Sequence, residues 1–270
     1  MSFNNFHMHT TFCDGADTPE EMVRAALAAG CKEIGFSGHS WLDFDPDWTM
    51  SPEAAAAYRA EVLRLKEVYA DRILIRLGVE QDYCSAADEL PLYEYVIGGV
   101  HCVFKDGRYL SVDLSADALR SGIEQWYGGD AYAFVEDYYR LVGDLYEKTQ
   151  CDIVAHFDLV TKFLEKDPFF DPCDPRYVRA ADEALEKLIE SPAWVEINTG
   201  AMSRGYRTEP YPGPRILEQL GKAKKPVILS SDAHSADAVL FGFDAAMRLA
   251  EQYALDVRTS LAELPRFMIQ

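Results

Sequence analysis

The run Asn4-Asn5-Phe6-His7-Met8-His9 reads as a short strand, and the residues that follow it decide the fold. Thr18-Pro19-Glu20-Glu21 is a capping box with proline at the first helical position, and Gly30 closes the helix it opens. Only Cys31-Lys32 then separates that helix from a second apolar run, Glu33–Ser37. Strand, long polar loop, capped helix, short turn, strand is the grammar of a parallel α/β unit.

The same grammar continues outward. Further strands are expected at Ile73–Glu80, Tyr95–Val100, Asp152–Ala155, Trp194–Asn198 and Val227–Ser231. Ser51-Pro52-Glu53 and Asp174-Pro175 open helices. Tyr132–Lys148 carries Phe134, Tyr138, Leu141, Val142 and Leu145 at helical spacing, and Leu217–Lys222 and Ala236–Gln252 complete the set. About seven strands form either an open doubly wound sheet or a closed barrel, and no Gly-rich phosphate loop follows any strand, which counts against a nucleotide-binding sheet. Loop lengths show a polarity. Helix-to-strand turns are short, whereas Trp41–Met50, Thr161–Asp174, Thr199–Pro212 and the stretch Cys102–Asp130, with a hairpin turn at Lys105-Asp106-Gly107-Arg108, are long. Long loops at the carboxyl ends of the strands are what a barrel enzyme places around its active site.

The chain has 270 residues, one domain's worth for a barrel, with 45 acidic against 26 basic side chains and a formal charge of −19. That balance argues against a nucleic-acid or anionic-membrane partner. Met1–Thr10 has no basic or apolar region of a signal peptide, and no apolar run approaches the ~18 residues of a spanning helix. The six cysteines are scattered without a C-x-x-C pair, which reads as free thiols in a reducing, cytoplasmic setting.

All six histidines, His7, His9, His39, His101, His156 and His234, sit at or just past a strand end on the long-loop side. His7 and His9 share a face by the period of two. Asp14, Glu80 and Asp232 lie beside them in the pattern, and Glu80 closes a run so apolar that it requires a counter-charge, either a metal or an arginine. Nine donors of mixed imidazole and carboxylate type call for two or three divalent ions of the Zn, Mn or Fe(II) kind.

His7-Met8-His9-Thr10, Gly78-Val79-Glu80-Gln81-Asp82-Tyr83, Gly98-Gly99-Val100-His101, Asp152 through Val160 and Ser231-Asp232-Ala233-His234 resemble, in order, the motifs of the PHP (polymerase and histidinol phosphatase) family, and within it the monofunctional histidinol-phosphate phosphatases. The resemblance spans nearly the whole chain. It implies a distorted seven-stranded (β/α) barrel, a single domain over residues 1–270, and a trinuclear metal site. It implies a first metal on His7, His9 and Asp232, with Glu80 bridging to a second on His101 and His156, and a third on Asp14, His39 and His234. Two stretches depart from the family pattern: Gly38-His39 lacks the usual acid, and the loop Asn198-Thr199-Gly200-Ala201-Met202-Ser203-Arg204-Gly205-Tyr206-Arg207 shifts its arginine.

The expected reaction is hydrolysis of histidinol phosphate to histidinol and phosphate, with a hydroxide bridging two metals as nucleophile. Three such ions and three carboxylates leave the site at about +3 before substrate arrives. Arg204 or Arg207 is the expected phosphate clamp, and Asp232 the expected proton relay. Trp41, Asp43, Phe44, Tyr206 and Tyr211 are candidates to meet the leaving group. A phosphoesterase for nucleotides or sugar phosphates is the alternative. An amidohydrolase-type carbon–nitrogen hydrolase is disfavoured because no lysine lies in a strand.

Overall fold

Cap, helix and strand alternate through the structure, a computed structural model that describes residues 3–87 and 89–268. The first half runs α1 (Pro19–Ala28), β1 (Glu33–Phe36), α2 (Pro52–Val68), β2 (Leu74–Asp82), β3 (Tyr95–Gly99), β4 (Cys102–Lys105), β5 (Arg108–Ser111), α3 (Ala116–Tyr127) and α4 (Ala131–Thr149). The second runs β6 (Ile153–Val154), α5 (Pro175–Glu190), β7 (Trp194–Asn198), α6 (Gly200–Ser203), α7 (Pro214–Ala223), β8 (Pro226–Ser230), α8 (Phe243–Gln252), β9 (Asp256–Arg258) and α9 (Pro265–Met268). The caps act as the sequence predicts. Thr18 accepts from the Glu21 amide while Glu21 reaches back to Thr18, and Ser51 and Asp174 accept from amides in the first turns of α2 and α5.

The strands form one curled parallel sheet in the order β1-β2-β3-β6-β7-β8-β9. β4 and β5 make a separate antiparallel hairpin, turned by Asp106 and Gly107 with φ of 47° and 77°, as a two-residue hairpin requires. Three expectations are corrected. Asn4–His9 forms isolated bridges, not a strand, because the Asn5 side chain takes over the pairing: its Oδ1 accepts from the His7 amide and its Nδ2 donates to Ser231 Oγ and the Val239 carbonyl. β9, too short and polar to show a pattern, is the seventh strand. The expected helix Ala236–Gln252 is broken at Gly242, whose φ is 74°, so α8 begins at Phe243. The long stretch after β5 also contains α3, which was not foreseen; only Leu119, Gly122 and Ile123 of it are buried.

The N-terminal segment still does a strand's work. Gly35 N donates to Asn5 O and Ser37 N to Met8 O, while His9 N donates to Ala233 O and Ala233 N to His7 O. Residues 5–9 therefore join β1 to the chain just past β8 and close the barrel. Beneath the mouth, Phe6, Tyr95, Ile97, Ile153, Trp194 and Ile228 form an inner cluster. Leu261 and Leu264 join it from the C-terminal segment, which Arg266 pins to Asp152 at 2.8 Å. Among the described residues no helix is long and apolar enough to cross a membrane.

Tyr95 fills the space that glycine leaves in its neighbours. Its hydroxyl lies 2.6 Å from Phe6 O and 3.0 Å from Phe36 O, and a Cβ on Gly78 would stand 2.3 Å from its ring. Gly78→Ala is therefore expected to lower stability by about 1–3 kcal/mol through overpacking, read as a lower midpoint in urea unfolding.

Candidate metal centre

Each donor reaches the mouth because its strand ends there. His39 follows β1, His101 follows β3, His156 follows β6, and Asp232 and His234 follow β8, while Glu80 faces inward from β2. His7 and His9 come from the closing segment, and Asp14 from the loop after it. The structure brings all nine expected donors together. Three overlapping groups each keep their donor atoms within 4.8 Å: His9, Asp14, His39 and His234; His7, His9 and Asp232; and His39, Glu80 and His101.

Glu80 lies at the centre and is 1% exposed. Its Oε2 is 3.1 Å from His7 Nε2, 3.4 Å from His9 Nε2 and 2.9 Å from His39 Nδ1. Its Oε1 is 3.3 Å from His101 Nε2 and 3.0 Å from His156 Nε2. The two oxygens thus face different sets of imidazoles. Asp232 Oδ1 lies 3.2 Å from His9 Nε2 and 3.4 Å from His234 Nδ1, and Asp14 Oδ2 lies 3.1 Å from His234 Nε2.

The donors fit a cation. His7 Nε2, His9 Nε2 and Glu80 Oε2 are buried and have no hydrogen-bond partner, although they converge. Buried polar atoms that converge without a hydrogen-bond partner are what a bound metal satisfies. His9 stacks on His39 and on His234, each with ring centroids 4.2 Å apart. Burial, together with the repulsion of His39 and His234, pushes the His9 imidazole down to about 3, leaving it neutral and able to donate its lone pair. Burial alone would raise the Glu80 carboxyl, but His7, His39 and His101 hold it well below the usual carboxylate range. Burial opposes ionisation of Asp232 as well and is outweighed, first by Arg204 and then by His7. Asp232 also holds a left-handed backbone, φ 47°, a conformation uncommon outside glycine and frequent at functional sites.

Two further carboxylates, to which the sequence motifs assign no role, orient the candidate ligands. Glu196 is fully buried on β7. Its Oε2 meets His7 Nδ1 at 2.8 Å and accepts from Ser230 Oγ at 2.6 Å. Its Oε1 accepts from the His156 amide and from Asn198 Nδ2. Asp82 Oδ2 takes both the His101 amide and His101 Nδ1 at 3.0 Å. A carboxylate on the far nitrogen of a ligating histidine fixes its tautomer and direction. The signal for Glu196 was present: an acid in the middle of an apolar strand, the same argument that singles out Glu80.

A cavity of about 540 Å³ opens over the cluster, walled by Trp48, Asp113, Lys162, Arg204 and Tyr206 among others. Arg204 donates to Asp232 Oδ2 and to its carbonyl, both at 3.0 Å. Lys162, also not foreseen, donates to Asp113 at 3.1 Å. Arg207 does not join them. It donates to Thr161 Oγ1 and the Glu209 carbonyl and lies over the Tyr211 ring. The register is set by α6, one turn of helix that aims Arg204 at Asp232 and sends the chain away at Gly205. Of the expected leaving-group residues, Tyr206 lines this cavity and Tyr211 is buried. Trp41 and Asp43 line a neighbouring pocket, and Phe44 stacks on Tyr109 of the hairpin at 3.5 Å. Trp48 takes the place expected of Trp41, its ring 4.6 Å from His39.

Fold and site together define a parallel α/β barrel with a histidine- and carboxylate-lined candidate metal centre at its carboxyl mouth. The chain belongs to the PHP domain family, which matches residues 5–200. It is 28% identical to a probable histidinol-phosphatase of Deinococcus radiodurans, with 90% of each chain covered. It is 27% identical to the histidinol-phosphatase of Bacillus subtilis, covering 91% of this chain and 98% of that one. Its fold is that of the histidinol phosphate phosphatase of Lactococcus lactis, solved with zinc, L-histidinol and phosphate (TM-score 0.73, 20% identity, 95% of each chain).

Glu196→Gln tests the orienting carboxylate. Four donors converge on Glu196, so an amide must turn its NH2 toward one of them. The variant is expected to bind zinc about 10–100-fold more weakly while remaining folded, measured by competition with a chelator and by circular dichroism.

Proposed function

We propose that this protein is a metal-dependent phosphomonoesterase that hydrolyses histidinol phosphate to histidinol and phosphate, serving histidine biosynthesis. One observation carries the reading. The Glu80 carboxylate is divided between two sets of imidazoles, under a cavity that also holds Arg204 and Lys162. The names of the Deinococcus and Bacillus relatives, matched along nearly their full lengths, support the substrate. The zinc, histidinol and phosphate held by the Lactococcus enzyme support it further.

In this reading His7, His9 and Asp232 would hold one divalent ion, His101 and His156 a second, with Glu80 available to both, and Asp14, His39 and His234 a third. Zn, Mn or Fe(II) suits such mixed donors. Divalent ions bound there would supply Lewis acidity for water activation and positive charge for the phosphate oxygens. Arg204 and Lys162 hold the non-bridging oxygens in line for attack. Asp232 takes the proton of the attacking water and passes it to the leaving alkoxide. The working unit is the whole chain, residues 1–270, as one domain: the family match stops at residue 200, yet Arg204, Asp232 and His234 line the same cavity. The six free thiols suit a reducing cytoplasm.

Protein purified without chelator is expected to contain two to three equivalents of metal and to turn over histidinol phosphate in a panel of phosphate esters. Less than one equivalent by elemental analysis, with full activity in chelator, would remove the mechanism. Glu80→Ala is expected to be the most damaging single substitution, losing both metal and turnover; full metal content with near-normal rates would sink the shared-carboxylate assignment. Arg204→Ala is expected to keep its metal and lose about 2–5 kcal/mol in kcat/KM, whereas Arg207→Ala, bonded elsewhere, stays near the parent rate. Steady-state kinetics of the two variants side by side decide between the arginines.

A further inference from the structure

A second cavity, of about 500 Å³, lies behind the metal centre and shares no lining residue with the one above it. Alternation along β2 places it there. Glu80 and Asp82 face the barrel interior, so Val79 and Gln81 face outward, toward α2. The walls are largely apolar, with Trp41, Met50, Ala55 and Tyr93 among them. Gln81 is 2% exposed, yet its side chain is only half used. Its Nε2 donates to Ala86 O at 3.0 Å, and that carbonyl fixes which end of the amide is which. The other end, Oε1, has no hydrogen-bond partner among the described residues and is not sealed off, so it opens on the cavity. An acceptor held in an apolar cavity wall recognises a ligand that brings an N–H. Of the two acids there, Glu89 is taken by Arg59 at 2.6 Å, while Asp43, exposed at the rim, forms no ion pair among the described residues. No lysine or arginine among the described residues lines this cavity, so it favours a cation over an anion.

The same walls are bonded to the metal centre from the other face of the sheet. Ser40 lines the cavity and directly follows His39. Its amide donates to Glu80 O at 2.9 Å, and its Oγ accepts from the Asp82 amide at 2.9 Å. The Met50 amide donates to His39 O at 3.1 Å. We propose that this cavity is an effector site for a flat heteroaromatic amine. The ring N–H donates to Gln81 Oε1, the ring lies against Trp41 and Tyr93, and the ammonium stands near Asp43. Occupancy lowers turnover. The donors of the centre already converge, so a ligand that bears on Ser40 or Met50 moves His39, or through Asp82 His101, out of register. The ligand site stands on the cavity alone; its effect on turnover rests on the phosphomonoesterase reading.

The probe is tryptamine, titrated calorimetrically into the metal-loaded full chain. Three analogues each remove one feature: 1-methyltryptamine the ring N–H, butylamine the ring, and indole-3-acetate the positive charge. Each is expected to bind at least tenfold more weakly. Gln81→Leu is expected to bind tryptamine no better than the parent binds 1-methyltryptamine. Ala86→Trp, at an exposed position of the wall, is expected to abolish binding with turnover of histidinol phosphate near that of the parent. Circular dichroism confirms that both variants are folded. In the parent, saturating tryptamine is expected to lower kcat at least threefold with KM within twofold, and Ala86→Trp is expected to be indifferent to it. No binding, binding that survives either variant, or inhibition that raises KM alone, which marks the reaction cavity, overturns the inference. Binding that meets every expectation with unchanged kcat overturns the effector role. A parent that hydrolyses no phosphate ester fails the phosphomonoesterase reading, and the calorimetric series, which uses no substrate, then decides the ligand site by itself.

Discussion

The Glu80 carboxylate, removed from water and surrounded by five imidazoles, is the constraint on which the rest of the barrel depends. An ionised carboxylate at that depth is very unfavourable unless positive charge surrounds it. The closing segment and the ends of β1, β3 and β6 supply that surrounding. β2 sets the layers by its alternation alone. Gly78 makes room for the Tyr95 ring below, Glu80 stands at the centre, and Asp82 turns His101 toward it from above. The glycine opposite is equally constrained: a Cβ on Gly99 would lie 2.8 Å from His101 and 3.0 Å from Glu80. The apolar layer and the polar layer are successive positions on the same inward face, so packing below and chemistry above cannot be altered independently.

How much of this is legible in the sequence depends on whether a residue's role is set by its own strand or by a distant one. The six histidines, Glu80 and Asp232 stand out because each interrupts or ends an apolar run at the same polarity of the fold. Glu196 carries the same signal, an acid inside an apolar strand, but belongs to none of the family motifs. Lys162 and Asp113 could not be read, since their pairing joins loops 49 residues apart that nothing local relates. The choice between Arg204 and Arg207 rests on a single helical turn, α6, too short for periodicity to show. The first strand departs from its pattern for a different reason: its apolar alternation is genuine, but Asn5 satisfies the neighbouring backbone with its side chain, and a ladder becomes a set of bridges.

Barrel closure has a temporal side. Asn5 bonds to Ser231 across 226 residues, and His9 pairs with Ala233 just beyond it. Contacts of such sequence separation form late, because a long loop must be closed before they contribute. During synthesis His7 and His9 emerge first and wait, in an incomplete sheet, for almost the whole chain. Asp232 and His234 arrive only near the end, followed by the segment that seals the base. The nine candidate donors therefore come together only when the two ends of the sheet meet, and the geometry of the centre is a property of the closed barrel.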